Sequence, residues 1–164
     1  MGDNGKLYAG VPESTIGLMR SLVECADYAV PNYTEACLLT DTPIAEEITA
    51  DEARALVDAM LALGTKSVVI TSAKVDGASA VVGYDHVAGE YFEIPFELIP
   101  VYFPGTGDTF SAVLMGRVMS GWSLQRATAD AMRVVAELIE RNADQEDKSA
   151  GLPIEACLDV IDHE

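Results

Sequence analysis

Val101-Tyr102-Phe103-Pro104-Gly105-Thr106-Gly107-Asp108-Thr109-Phe110-Ser111-Ala112 carries the densest chemical signal in the chain. The apolar run Val101–Phe103 reads as a strand, two glycines one residue apart follow, and a helix is expected from Thr106 to about Ser120, where Gly121 stops it. Glycine lets a backbone turn through positive φ and come close to a ligand. The free N–H groups of the helix's first turn face that turn, and with the helix dipole they favour an anion. Asp108 falls in the first turn, where the dipole stabilises its ionised form by about 0.3–1 kcal/mol. It is placed to accept a proton from a hydroxyl. A plain Gly-rich turn with a helix-favouring acid has the same spacing, and spacing alone does not separate the two readings.

Outward from this junction, helical stripes alternate with short β-branched runs, the pattern of an α/β layer architecture. Toward the C-terminus a long helix starts at Ser123 and carries Ala127, Ala131, Val134, Val135, Leu138 and Ile139. The segment 142–149 is polar and acidic and reads as a surface loop, and Gly151-Leu152-Pro153-Ile154 starts a last short element. Toward the N-terminus, Ser79–Tyr84 and Glu90–Ile94 flank a turn and predict a hairpin. Ser67–Thr71 reads as a buried strand of a parallel sheet. Thr49 and Glu52 form a capping-box pair ahead of a helix carrying Ala53, Leu56, Val57, Met60 and Leu61, with Gly64 ending it. Tyr28–Val30 predicts a short strand, and residues 12–26 a first helix. No repeat or linker interrupts the 164 residues, which read as a single domain, 1–164.

The charge of −17, from 27 acids against 10 bases, excludes a general electrostatic attraction to nucleic acid or to an anionic membrane. A phosphate ligand must then be held by backbone amides, a helix N-terminus and metal ions. No apolar run approaches the roughly 18–20 residues of a membrane span, and residues 1–6 lack the apolar core of a secretory signal. Cys25, Cys37 and Cys157 are odd in number and widely spaced, the pattern of reduced thiols in a cytoplasmic protein. With only His86 and His163, zinc has few possible ligands.

Other candidates each have a bland reading beside the functional one. Asn32 and Glu35 fit a capping box, or they place a carboxylate near magnesium through water. Thr71-Ser72 ends the apolar strand where ligands of α/β sheets commonly bind, but these are also ordinary turn residues. Lys74 either adds charge to a phosphate or is solvated. His86 reads as a loop residue, Trp122 as a core anchor of an interhelix turn, and Met60, Met115, Met119 and Met132 as core.

In this order and spacing the segments resemble the ribokinase-like superfamily, and within it the pyridoxal kinases. Gly105-Thr106-Gly107-Asp108 resembles the family's anion-hole and base motif. Asn32-Tyr33-Thr34-Glu35 resembles its magnesium-associated segment, Met1–Tyr8 the end of its Asp-Pro-Val-Met-Gly-Asp stretch, and Val69–Ser72 the strand end that reaches ATP phosphates. The resemblance implies a three-layer α/β/α fold with a mostly parallel sheet, lacking its N-terminal part. It also implies ATP-dependent phosphorylation of the 5′-hydroxymethyl group of pyridoxal, pyridoxine or pyridoxamine, with Asp108 as base and the Gly105, Thr106 and Gly107 amides as anion hole. Asp3 and Glu35 are then expected to hold Mg2+, and Asp3, Tyr8, Asn32, Thr71 and Ser72 to contact the nucleotide; K+ is common in the family. Asp at 108, where the hydroxymethylpyrimidine kinases typically carry Cys, favours the vitamin B6 branch, while Val30 stands where members often have Thr. The chain begins inside a family motif, so a sheet edge is expected to be open, implying a homodimer or pairing with the missing N-terminal part. A hydroxymethylpyrimidine or sugar kinase, or a non-catalytic nucleotide-binding fragment, are the alternatives.

Overall fold

The computed structural model describes residues 1–161; His163 lies outside them. Two compact units divide the chain, Met1–Glu97 and Leu98–Glu164. The first opens with an antiparallel ribbon, β1 (Gly2–Asp3) and β2 (Lys6–Leu7). Its turn is Asn4-Gly5, with φ of 51° and 78°, the combination that a type I′ hairpin requires. Hydrophobic alternation gives no hint of this ribbon; the Asn-Gly pair is its signal.

The ribbon is followed by α1 (Ser14–Glu24), β3 (Tyr28–Ala29), α2 (Tyr33–Thr40) and α3 (Ala50–Ala62). The α3 start is the expected capping box: Glu52 N donates to Thr49 Oγ1 and Thr49 N to the Glu52 carboxylate. Its Ala53, Leu56, Val57 and Met60 are buried at helical spacing. Against α2 and α3 lies a sheet of order β3-β4-β5-β6, completed by β4 (Ser67–Val75), β5 (Ala78–Asp85) and β6 (Glu90–Phe96). One shared core joins Ala36, Leu39, Leu56, Met60, Val68, Ile70, Val75 and Val82.

Within this chain the sheet is mixed, which corrects the expectation of a mostly parallel one. Only β3 pairs with β4 in parallel; β4–β5 and β5–β6 are antiparallel. The short connections Asp76-Gly77 and 86–89 permit only antiparallel neighbours, because a parallel return needs a crossover. The run Ser67–Thr71 signals burial, and burial does not specify the direction of the neighbouring strand.

Strand β4 also changes phase. Val68 and Ile70 face the core, then the pairing register shifts between Ile70 and Ala73, and Ala73 and Val75 face it instead. Thr71 and Ser72 form this bulge, with Ser72 at a left-handed φ of 59°. A regular strand would point Ser72 and Lys74 inward. The bulge turns both outward and keeps the core apolar.

The second unit is helical. α4 (Thr106–Met119) and α5 (Leu124–Arg141) form a hairpin, and a 3-10 helix (Ile154–Val160) packs on α5. Both helices lie close to their predicted bounds, and Ser123 caps α5. Residues 101–103 are not a strand, contrary to expectation: Pro100 and Pro104 flank them, each lacking a backbone donor. Phe103 is nonetheless fully buried. Trp122 is half-buried rather than a core anchor, with the Arg126 guanidinium 3.6 Å from its ring centre. Met60 is core, Met115 and Met132 are half-buried, and Met119 is 84% exposed, on the outer side of the last α4 turn.

Candidate active site

The α4 start is the more open of the two candidate regions. Gly105 occupies the N-cap at φ 83°, a left-handed conformation that costs a residue with a side chain about 1–2 kcal/mol. The first helical bond runs from Thr109 N to Gly105 O at 3.0 Å, reinforced by Thr109 Oγ1 on the same carbonyl. The amides ahead of it, at Gly105, Thr106, Gly107 and Asp108, therefore have no α-helical acceptor. No side chain caps them. Gly107 has an ordinary helical φ, and a Cβ built there would meet nothing within 4 Å. Neither conformation nor internal packing requires glycine at 107; its effect is to leave space over the amides. Asp108 sits at the third helical position, exposed, with no partner for its carboxylate among the described residues.

The second region gathers most of the remaining candidates. Asn32 and Glu35 form the full capping box of α2: Glu35 N donates to Asn32 Oδ1 at 2.8 Å, and Asn32 N to Glu35 Oε2 at 3.1 Å. Asn32 Nδ2 reaches Gly2 O at 2.8 Å, and Gly5 N donates to Thr34 Oγ1 at 3.0 Å, so the ribbon carrying Asp3 lies on the α2 start. Glu35 Oε1 accepts from the Met1 amine at 2.6 Å and from Gly2 N at 3.4 Å. Asn32 bridges to Thr71 in parallel register, and Thr71 N donates to Pro31 O at 3.0 Å. The first unit thus brings Asp3, Asn32, Glu35 and Thr71 together, with Ser72 beside them on the bulge. Tyr8 follows the ribbon and is about half exposed.

A magnesium ion takes octahedral oxygen donors and keeps several waters. Asp3 and Glu35 are oxygen donors of the right kind. Both Glu35 oxygens already accept hydrogen bonds, so contact through a water suits Glu35 better than direct ligation. Among the described residues no group of three or more His, Cys, Asp or Glu side chains forms a metal cluster; a phosphate-borne ion, completed by water and substrate oxygens, matches such a donor set.

Other candidates separate from these regions. Lys74 pairs with Glu47 at 3.1 Å, outward of the bulge. His86 is exposed at the hairpin turn, its N–H held by Ser67 Oγ at 3.0 Å. Cys37 is buried in the core, and that burial pushes its thiol above the ordinary value against an opposing hydrogen bond with Tyr33, which leaves it protonated and inert at neutral pH. No helix among the described residues is long and apolar enough to cross a membrane.

The α/β order is that of a family of kinases. A family model for phosphomethylpyrimidine kinase matches residues 9–152. The chain belongs to this family. Pyridoxal kinase of Arabidopsis thaliana is 33% identical over 98% of this chain and 52% of its own length. A crystal structure from Bacteroides thetaiotaomicron, named as a phosphomethylpyrimidine kinase, superposes with a TM-score of 0.93 at 31% identity, over 100% of this chain and 57% of that one. An orthorhombic form of that protein contains pyridoxal. Pyridoxal kinase of Leishmania donovani, solved with ADP and pyridoxamine, gives a TM-score of 0.77 at 26% identity over 99% of this chain and 55% of its own. The architecture is therefore the ribokinase-like α/β fold of these kinases. The chain spans about half the length of the curated relatives it matches.

Proposed function

We propose that this chain is the nucleotide-handling portion of an ATP-dependent kinase that phosphorylates the 5′-hydroxymethyl group of pyridoxal, pyridoxine or pyridoxamine. The α4 start supports this most directly: unpaired amides, open space above Gly107 and an unpartnered carboxylate at Asp108. Asp108 accepts the hydroxyl proton as that oxygen attacks the γ-phosphorus, and the bond to the ADP oxygen breaks with its electron pair leaving on ADP. Charge spread over the phosphoryl oxygens is met by the Gly105, Thr106 and Gly107 amides. Thr71 and Ser72, which form the bulge, and Asn32 and Tyr8 are the proposed nucleotide contacts. Asp3 and Glu35 would hold magnesium, which when bound neutralises phosphate charge.

Asp at 108 favours the B6 vitamers over hydroxymethylpyrimidine. Purified chain with Mg-ATP and each of the three vitamers should yield the 5′-phosphates, read by chromatography, with potassium exchanged for sodium in a parallel arm. Saturable ATP binding without any product would leave a nucleotide-binding module instead, and faster turnover of hydroxymethylpyrimidine would move the chain to the sibling activity.

A partner is also proposed, at β3. This edge strand carries neither Pro nor charge, whereas the opposite edge, β6, carries Glu90, Glu93 and Pro95, residues that discourage pairing. Beside β3 lies an apolar hollow of about 220 Å³ lined by Met19, Leu22, Val23, Val30 and Pro31, with Leu22 64% exposed. The proposed occupant is the remaining portion of the fold that the relatives carry, and a second copy of this chain is the other reading. Light scattering separates them: a dimer of the chain alone that Leu22→Glu dissolves would assign the edge to self-association.

A further inference from the structure

The 142–151 segment is knitted together and ends against the candidate phosphate turn. From the end of α5, Asn142 Nδ2 donates to Leu138 O at 2.8 Å, Gln145 Nε2 to Asn142 Oδ1 at 2.7 Å, and Lys148 Nζ to Gln145 O at 2.5 Å. Lys148 Nζ also stands 5.8 Å from the ring centre of the buried Phe103, and Gly151 N donates to Lys148 O at 3.1 Å. Gly151 has φ 82°, and a Cβ built on it would lie 2.9 Å from Pro104 O. Only glycine fits that approach without displacing backbone.

Pro104 O belongs to the same peptide plane as the Gly105 N–H. No peptide among the described residues is cis, so carbonyl and amide point in opposite directions within that plane. Gly151 lies on the carbonyl side, where a Cβ would press on Pro104 O and tilt the plane that carries the amide. We infer that Gly151 is a positioning residue: its close approach to Pro104 O sets the direction of the Gly105 N–H, the first donor of the anion-binding turn. The contribution to transfer rests on the kinase reading above; the geometric part does not.

Gly121 provides the control, being in the same unit at φ 91° with nothing within 4 Å of a built Cβ. Gly151→Ala and Gly121→Ala both place a side chain at a similar positive φ, and only the first presses on Pro104. In 15N-labelled full chain, the N–H dipolar coupling of Gly105 should change in Gly151→Ala and stay at the wild-type value in Gly121→Ala. Turnover of pyridoxal should fall about tenfold or more in Gly151→Ala, in kcat rather than in KM for the vitamer, as expected for a misdirected anion donor. An unchanged Gly105 coupling in Gly151→Ala overturns the inference. So does a changed coupling with unchanged kcat in a background where Asp108→Ala abolishes turnover. If the coupling changes but the wild-type chain phosphorylates none of the vitamers, the kinase reading falls while the geometric role of Gly151 stands.

Discussion

Two helices of this chain begin with the same arithmetic, a cap residue followed three positions later by an acid, and they use it in opposite ways. At α2 the cap is Asn32, whose side chain accepts from Glu35 N, and the longer Glu35 carboxylate folds back onto Asn32 N. At α4 the cap is Gly105, which has no side chain to offer, and Asp108, one methylene shorter, leaves its carboxylate in solvent. The first start is closed on itself and stabilises the fold. The second leaves its amides and its carboxylate open. A missing cap at a helix that tolerates glycine twice points more strongly to a ligand than the acid does.

The largest effect should separate the two acids. Asp108→Asn is expected to lower kcat for vitamer phosphorylation by about 10²–10⁴, the range of general base catalysis, while thermal unfolding barely moves. Next comes Gly107→Ala. It should stabilise the chain by up to about 0.5–1 kcal/mol, because Ala forms helix better than Gly, yet reduce turnover by about tenfold or more by filling the space over the donors. Opposite signs for stability and activity at one residue are hard to obtain from a purely structural turn. At the closed start the signs should agree: Asn32→Ala is expected to cost about 1 kcal/mol of stability in denaturant unfolding.

The smallest effect on turnover is expected from the clamp that holds α4 behind its open start. Arg117 in its last turn donates to Asp130 of α5 at 2.8 Å, and Arg133 binds the same carboxylate at 2.8 Å; Asp130 is 12% exposed. Burial pushes its carboxyl up, but hydrogen bonds from Arg117 and Arg133 outweigh it and hold the group below the usual range. A depressed folded value means the clamp contributes fully above the unfolded carboxyl value of about 3.9 and is lost as pH falls through the lower folded one. Acid titration should loosen the second unit in that window. Asp130→Asn should flatten the pH dependence there at a cost of roughly 1–3 kcal/mol near neutrality.

Much of this was legible in the sequence where the signal is local. The Thr49–Glu52 and Asn32–Glu35 boxes, the hairpin and both long helices follow from cap chemistry and periodicity, and the observed bonds are those that spacing implies. Strand direction was not legible, because Val68-Val69-Ile70 is equally apolar between parallel or antiparallel neighbours. Val101–Phe103 has strand-like residues but sits between prolines, with no strand among the described residues of its unit to pair with. The bulge at Thr71-Ser72 leaves only a phase break: Ala73 and Val75 continue the apolar alternation one step late. The candidate residues were named from motif order, and the structure adds the feature that order cannot carry, namely which acid is occupied and which is free. Gly151 was read as the start of a short element, since close approach to a distant carbonyl has no sequence signature.

The amides at the α4 start are the crux, and they can be watched directly. On titrating Mg-AMP-PNP into 15N-labelled chain, the resonances of Gly105, Thr106, Gly107 and Asp108 should shift saturably and together, with Gly107→Ala weakening the effect. Saturable nucleotide binding that leaves those resonances unmoved would contradict the assignment of this turn as the phosphate cradle.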